Sequence, residues 1–411
     1  MLLPDPLPVL KRLGISPDVL PRIQNPHRRS QCRAVVHWLT RPLPPPSDAP
    51  IHQVQGYLQA FHHLCDLGEW ERAFALISTR LHTPAQEQLH YQLRVWGYLS
   101  DRAKLYEALV DKVNHLGTEK FNAQVLQFLG ENYYLQGRAE QARHCYQRSL
   151  QIYTNLGLAT NQALLMISLA DILIDSGDLS TARDYLNHGL HICQDTDCHY
   201  GSAIALSSLG NLAESEGDPT QALTYHQQAL PLTRRIQDAE MEGATLGNMG
   251  SCYYQLGDFA QAQHHHQQHL TLAKQHQNRF RESAALAGLG SICFSQADYA
   301  QAQEYFEAQR QIAHDIGDRN GESQALGALG NVCSALGQHA KALDYHQQHL
   351  AIAQAINNQR STLHAFSNLA RTYTALQVPE QAKVSYQRAI DIAQSMGDLS
   401  AVAQLGLEVG V

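Results

Sequence analysis

Apolar and small residues recur through most of the chain at helical spacing, interrupted by short polar turns, and the whole pattern repeats every 40 residues. The stretch 245–270, TLGNMGSCYYQLGDFAQAQHHHQQHL, is the clearest copy. One series of small residues runs Gly130, Ala170, Gly210, Gly250, Gly290, Gly330, Ala370 and Gly410, each 40 residues after the last. A second, twelve residues behind, runs Ala142, Ala182, Ala222, Ala262, Ala302, Ala342 and Ala382. A fixed period of this length without insertions is the signature of a solenoid.

Each period reads as two antiparallel helices joined by three-residue turns. Within 241–278 the first helix is expected over roughly Glu242 to Leu256, ended by Gly257 in the left-handed conformation that helix C-termini favour. Asp258 then caps the second helix, Gln261 is expected to answer the cap's own amide, and the helix runs to about Gln275. Gly217-Asp218-Pro219 is the same device with proline at the first helical position, and Gly177-Asp178 and Ala297-Asp298 are weaker versions. Helix axes that approach to about 8–10 Å need a small side facing a large one. Gly250 and Ala262 are the small sides, with Tyr253, Phe259 and Leu270 expected to fill against them. A glycine inside a helix costs about 1 kcal/mol relative to alanine. Its presence in five of seven full repeats therefore signals close approach.

The repeat removes the expectation that 411 residues divide into separate domains, because a solenoid adds core one unit at a time. The predicted organisation is a Pro-rich cap at 1–50, two degenerate helix pairs at 51–122, seven regular 40-residue units at 123–402, and a C-terminal capping helix at 403–411. Residues 1–50 hold 11 of the 15 prolines, among them Pro44, Pro45 and Pro46, so only Arg28 to Arg41 is predicted helical there. In the first degenerate pair Gly68 is the break and Ala73 the packing residue. In the second, Ser100-Asp101 is the expected break and Leu105 the packing residue, with Thr83-Pro84 interrupting the join. Trp38, Trp70 and Trp96 all fall in this irregular part, as suits a cap whose packing has lost its strict period.

Helix pairs with Leu-Gly, Tyr, Gly, Ala and an aromatic or His in this order resemble tetratricopeptide repeats, most specifically in LGNMGSCYYQLGDFAQA. The 40-residue unit, with YHQQAL, HHQQHL and YHQQHLAIAQAIN, looks like the longer-repeat branch that includes the Pins/LGN spindle scaffolds and cyanobacterial relatives. The stretch 81–109 is similar to the segment preceding such arrays in cyanobacterial signalling proteins. The resemblance implies an all-α, right-handed α-solenoid whose first helices line a concave groove and bind a peptide or partner domain.

Charge narrows the partner. Of the net −8, residues 1–122 carry +3 and 123–411 carry −11. An acidic array argues against nucleic acid and against an anionic membrane surface. No run approaches the length needed to cross a bilayer and no secretory signal is read at the start, so a cytoplasmic location is expected. The eight cysteines fit a reducing compartment, with Cys252, Cys293 and Cys333 read as small packing residues.

No phosphate loop, HExxH, CxxC or GxSxG is present, so no catalytic residue, metal or cofactor is assigned and the chain is read as non-enzymatic. The His266/His269 and His346/His349 pairs have metal-compatible spacing, but His266 and His346 occupy the slot of Tyr146, Phe306 and Tyr386 and are read as packing residues. His191, Cys193, Cys198 and His199 surround one turn without a spacing that fixes their geometry.

Candidate groove residues follow the repeat position: Glu131, Asp171, Asn211, Ser251, Asn331 and Arg371 immediately after it, Tyr134, Glu214 and Tyr254 one turn later, and Asn248 and Asn368 just before. Asn and Arg there can hold an extended peptide by its amides and carboxylates. Pins/LGN-like arrays recruit acidic segments through groove arginines, whereas the corresponding positions here are Gln124, Leu164, Ile204, Ala244, Ala284, Gln324 and His364. With Glu131, Asp171, Asp175 and Glu214, the front half should prefer basic or apolar ligands. The expected role is a scaffold or adaptor binding a partner protein or peptide, with self-association also open. The alternatives are a regulatory sensor or peptide receptor related to cyanobacterial signalling ATPases, and an assembly factor for a multisubunit complex.

Overall fold

A computed structural model describes residues 2–42, 45, 50–82, 88–112 and 119–409. Thr83-Pro84, Pro44, Pro46 and Gly410 lie outside the described residues. The chain forms two compact units, 1–196 and 197–411, a division the uninterrupted repeat does not announce.

The first unit contains α1 (Pro6–Arg12), α2 (Pro26–Thr40), the single turn α3 (Pro50–Gln53), and four pairs: α4 (Gln55–Asp66) with α5 (Trp70–Ile77), α6 (Leu89–Val95) with α7 (Leu99–Glu107), α8 (Glu119–Leu135) with α9 (Ala139–Asn155), and α10 (Ala159–Asp175) with α11 (Leu179–Asp195). The second contains five more pairs and one further helix: α12 (His199–Ser215) with α13 (Pro219–Arg235), α14 (Ala239–Gln255) with α15 (Phe259–Gln275), α16 (Arg279–Ser295) with α17 (Tyr299–Ile316), α18 (Arg319–Ala335) with α19 (His339–Ala355), α20 (Gln359–Ala375) with α21 (Pro379–Ser395), and a final α22 (Leu399–Val409). The fold is an all-α solenoid of antiparallel helix pairs. Among the described residues, no helix is long and apolar enough to cross a membrane.

The turns are more uniform than the 40-residue period suggests. A residue with positive φ recurs every 20 positions from Gly137 to Gly397, so turns within pairs and between pairs share one geometry. Gly257, at φ 79°, shows how it works. Its N–H reaches the Tyr254 carbonyl at 3.0 Å and the next N–H, of Asp258, reaches Tyr253 at 2.9 Å, satisfying the carbonyls a helix end leaves bare. Asp258 also caps α15, its carboxylate accepting from the Gln261 N–H at 3.1 Å. The capping amide is thus already bonded to Tyr253, and the side chain of Gln261 is not what answers it. Asp178, Asp218, Asp298 and Asp318 cap their helices in the same way.

The small-residue seam is real, but its large partners differ from those expected. All seven alanines of the second series are buried. A Cβ on Gly250 would lie 2.7 Å from the His266 ring, so His266 fills that gap, not Tyr253, Phe259 or Leu270. Tyr146, His226, Phe306 and His346 stand likewise against Gly130, Gly210, Gly290 and Gly330, each within 2.7 Å of the missing Cβ. The ring, sixteen residues after the glycine, takes the space glycine leaves. The glycine position is Ala170 where the slot holds Leu186, and Ala370 where it holds Tyr386. The core of the second unit is a succession of small clusters, such as Cys293, Ala302, Phe306, Leu329 and Val332, each shared by adjacent pairs.

The N-terminal segment departs most from expectation. Besides α2, α1 forms where prolines were read as excluding helix: Asp5 accepts from the Leu7 N–H and Pro6 takes the first helical position, where its missing donor does no harm. Leu3, Val9, Leu10, Leu13 and Ile15 are buried in the same core as α4 and α5. The segment is tied to the α4–α5 pair by polar contacts as well: Arg12 donates to the Ala75 carbonyl at 3.0 Å, and Arg28 pairs with Glu69. In the second degenerate pair the break falls at Gly97, φ 81°, and not at Ser100-Asp101, which lie inside α7. Counting from that break, the position held by Ala262 in a regular unit belongs to Arg102. Leu105 is buried one turn later.

Candidate functional site

Arg102 is the largest fully buried side chain described. Its guanidinium bonds Glu131 at 2.8 Å and the Tyr106 hydroxyl at 3.2 Å, and it lies 5.3 Å from the Tyr106 ring centroid. Arg94 holds the other oxygen of Glu131 at 3.0 Å. His90 completes the network through Tyr106 at 2.7 Å, and burial pushes its imidazole down to about 3. Glu131 was expected to present negative charge to a groove. Two guanidiniums hold it instead, and its work is to neutralise a buried arginine, without which the charge would be strongly destabilising.

Several other expected groove residues also tie neighbouring first helices together. Tyr134 donates to Asp175 at 2.8 Å, and Tyr254 meets Ser295 at 2.7 Å, each one repeat on. Asn248 donates to the Asn211 side chain at 3.1 Å. The Cys252 thiol donates to Glu214 at 3.0 Å. Arg371 grips Glu408 of α22 with two bonds, at 2.7 and 3.0 Å. Ser251 bonds back to the Gly247 carbonyl within its own helix. Asp171 and Asn368 are half-buried, and Asn331 is exposed. The acidic front half therefore does not present four free carboxylates: Glu131 and Glu214 are committed, and Asp175 accepts from Tyr134.

A cleft of ≈ 310 Å³ opens in the second unit and is lined by first helices. Tyr200, Ile204 and Ser207 come from α12, Glu240, Met241 and Ala244 from α14, and Arg281 from α16. Ile204 and Ala244 are two of the positions singled out above for lacking arginine. Asn211 follows Ile204 by seven residues and Asn248 follows Ala244 by four, so the cleft and the bridged asparagines share one helical face. That Asn–Asn bond uses the Asn248 NH2 and the Asn211 oxygen, leaving the Asn211 NH2 and the Asn248 oxygen for a further partner. Arg281 reaches Glu240 at 3.4 Å, and its buried Nε has no hydrogen-bond partner. The cleft thus offers the apolar side chains of Ile204, Met241 and Ala244 beside Arg281 with its unsatisfied donor, and the asparagine pair lies outside it, further along the same face. The glycine-anchored reading located the asparagines, but it missed Tyr200, Met241 and Arg281, which lie two to three turns N-terminal of the repeat glycine. Arg281 is an interruption of the repeat: Gly201, Met241, Gly321 and Ser361 hold its position in the neighbouring units.

Of the four histidines and cysteines around one turn, His191 pairs with Asp195 at 2.9 Å and Cys193 is buried in α11. Cys198 caps α12, accepting from the Gly201 N–H, and His199 faces Asp197.

The tetratricopeptide repeat family model matches residues 121–195, 201–275 and 281–355, and a second tetratricopeptide repeat model matches 363–396. No curated protein matches the sequence. Among solved structures, the chain is similar to a signal transduction ATPase with numerous domains from Pyrococcus horikoshii, a protein described as having a tetratricopeptide repeat sensor. The TM-score is 0.61 at 17% identity, over 93% of this chain and 56% of that one, so the chain spans little more than half the length of that protein. It is also similar to the apo form of the quorum sensor NprR from B. thuringiensis, with a TM-score of 0.58 at 16% identity over 83% and 99% of the two chains. Aspartyl phosphate phosphatase F from Bacillus subtilis matches with a TM-score of 0.59 at 11% identity, over 86% and 96%. At these identities the likeness is one of fold.

Proposed function

The chain belongs to the tetratricopeptide repeat family, and from that premise we propose that it is a non-enzymatic scaffold that binds an extended segment of a partner protein on its first-helix face. The observation that carries this reading is the cleft lined by α12, α14 and α16, with the unpartnered Nε of Arg281 at its edge. A buried donor without a partner is unfavourable, and a ligand carbonyl or carboxylate would satisfy it. An apolar side chain of the segment fills the space between Ile204, Met241 and Ala244, while the Asn211–Asn248 bridge holds the segment's main chain by the groups it leaves free. Within the longer-repeat branch of the family, the lack of arginine at Ile204 and Ala244 turns the site away from acidic segments and toward apolar ones.

A second reading is a sensor module that reports peptide binding to an effector; the Pyrococcus protein is described as having a tetratricopeptide repeat sensor and NprR as a quorum sensor. Both readings use the same face. Peptides selected from a random display library against the full chain test the proposal. The selected sequences should share an apolar anchor, and Ala244→Arg should weaken their binding at least about tenfold by filling the cleft. Peptides that bind Ala244→Arg and wild type equally would place the binding face elsewhere.

A further inference from the structure

We propose that Glu214, His226 and Cys252 form a three-ligand site for a divalent transition-metal cation of the zinc class. The residues come from α12, α13 and α14, all within the second unit. Their ligand atoms lie within 4.8 Å of one another, the only such grouping of His, Cys, Asp and Glu among the described residues. No ion is needed to draw two of them together, since the Cys252 thiol already donates to Glu214 at 3.0 Å. The third carries the argument. The His226 side chain is wholly buried, and neither ring nitrogen has a hydrogen-bond partner.

Packing explains part of this. His226 occupies the ring slot against Gly210, as His266 and His346 do against Gly250 and Gly330. Packing does not explain its companions. The position of Glu214 is held by Tyr134, Ile174, Tyr254, Phe294, Ser334 and Thr374 in the other units. The position of Cys252 is held by Asn132, Ile172, Leu212, Ile292, Val332 and Thr372. Cys252 is also one residue out of register with Cys293 and Cys333, so it does not belong to the packing series with which it was first grouped. An acid and a thiol thus each appear once at their repeat position, and they converge on one buried imidazole. Had the slot needed only bulk, Phe306 shows that phenylalanine serves.

The donor set is one sulfur, one nitrogen and one carboxylate oxygen. Thiolate and imidazole together favour zinc-class ions and disfavour magnesium and calcium, which take oxygen ligands. Bond lengths of about 2.0–2.3 Å in a tetrahedral centre place ligand atoms roughly 3.3–3.8 Å apart, so the observed spacing needs only small side-chain adjustments. Three protein ligands leave a fourth position open, and half-buried Glu214 gives the ion a route from solvent. Binding replaces the thiol proton: the Cys252 S–H bond breaks, the sulfur keeps the electron pair and donates it to the cation, and the proton leaves to solvent. The same carboxylate that now accepts from the thiol becomes the oxygen ligand.

The test uses the full chain, stripped with a chelator and kept reduced with a phosphine, then titrated with Co²⁺ and back-titrated with Zn²⁺. One equivalent of Co²⁺ should bind with a thiolate-to-metal charge-transfer band and the intense ligand-field absorption of a four-coordinate centre, and Zn²⁺ should bleach both. Cys252→Ser should remove the charge-transfer band. His226→Phe, which copies the arrangement of Phe306 against Gly290, and Glu214→Gln should each weaken Co²⁺ binding at least about tenfold. Cys198→Ser should leave the spectrum unchanged, because serine also caps α12. Far-UV circular dichroism and melting temperature establish that each variant is folded, and Glu214→Gln, at the least buried position, keeps the test alive if a core variant is not. The proposal is overturned if reduced wild type shows no thiolate band, if the band survives Cys252→Ser, or if Cys198→Ser abolishes it.

Discussion

Acidification should destabilise the second unit through its buried imidazoles, well before its carboxylates are protonated. His266, His269, His346 and His349 are at most 5% exposed. Burial, reinforced by nearby positive or potentially positive groups such as Arg281 beside His269, pushes each down to about 4. Both nitrogens of His269 and Nδ1 of the other three lack partners, while His349 Nε2 meets the Ser361 hydroxyl at 2.9 Å. In the unfolded chain these groups titrate near 6.5. The folded value is the lower one, so the unfolded state binds more protons between the two. Stability is therefore complete above pH 6.5 and lost as pH falls toward 4. At pH 5 the linkage amounts to about 2 kcal/mol per histidine, or about 8 kcal/mol for the four, comparable with the whole stability of an ordinary domain. Urea unfolding followed by circular dichroism at pH 7.5, 6.0 and 5.0 measures it. The double variant His266→Phe plus His346→Phe, which places the ring of Phe306 in two more slots, should recover about half of the loss at pH 5. Equal pH slopes for wild type and double variant would refute the reasoning, because carboxylates common to both proteins would then account for the acid sensitivity.

Two further predictions concern the repeat itself. Ala262 is wholly buried on the seam, and Ala262→Leu should cost about 1–3 kcal/mol by overpacking; an unchanged melting curve would mean the seam is misplaced. Ala297 is exposed and carries the left-handed φ of 61° that Gly257 and Gly337 carry in equivalent turns. Ala297→Gly should therefore stabilise the protein by about 1 kcal/mol, read as a rise in urea midpoint at constant slope, and a fall would show that the turn is not strained.

The helix pairs were legible because their determinants are local and periodic. A glycine or polar residue at the end of one helix and an aspartate at the start of the next repeat without insertion, so period alone fixes the elements to within a few residues. The partners across the seam were less legible. His266 and Tyr253 are both large, and only the three-dimensional path of the helices decides which ring meets Gly250. In the N-terminal segment α2 was expected, but α1 was missed because proline density was counted without regard to position: Pro6 sits at the first turn of α1, where proline is harmless, as Pro26 does in α2. The candidate site was legible as a face but not as a chemistry. Spacing identifies residues that share a side of a helix, yet it cannot reveal that Glu131 is claimed by Arg94 and Arg102, or Glu214 by Cys252.

These cases point to where function resides in a repeat array. Positions that recur in every unit, such as the alanine seam and the left-handed turn, are under the same packing demand each time and carry no information that distinguishes one unit from another. Information enters where a unit breaks its own rule. Arg102 breaks it in the first unit, and the break is absorbed internally by Glu131, Tyr106 and Asn132, which makes it structural. Arg281 breaks it in the second, and its Nε finds no partner. The convergence of Glu214 and Cys252 on His226 breaks it a third time, again leaving polar atoms unsatisfied. A rule broken and repaired within the protein calls for no ligand. A rule broken and left with buried, unpaired donors or acceptors marks a candidate site, because a ligand that completed the arrangement would relieve its cost.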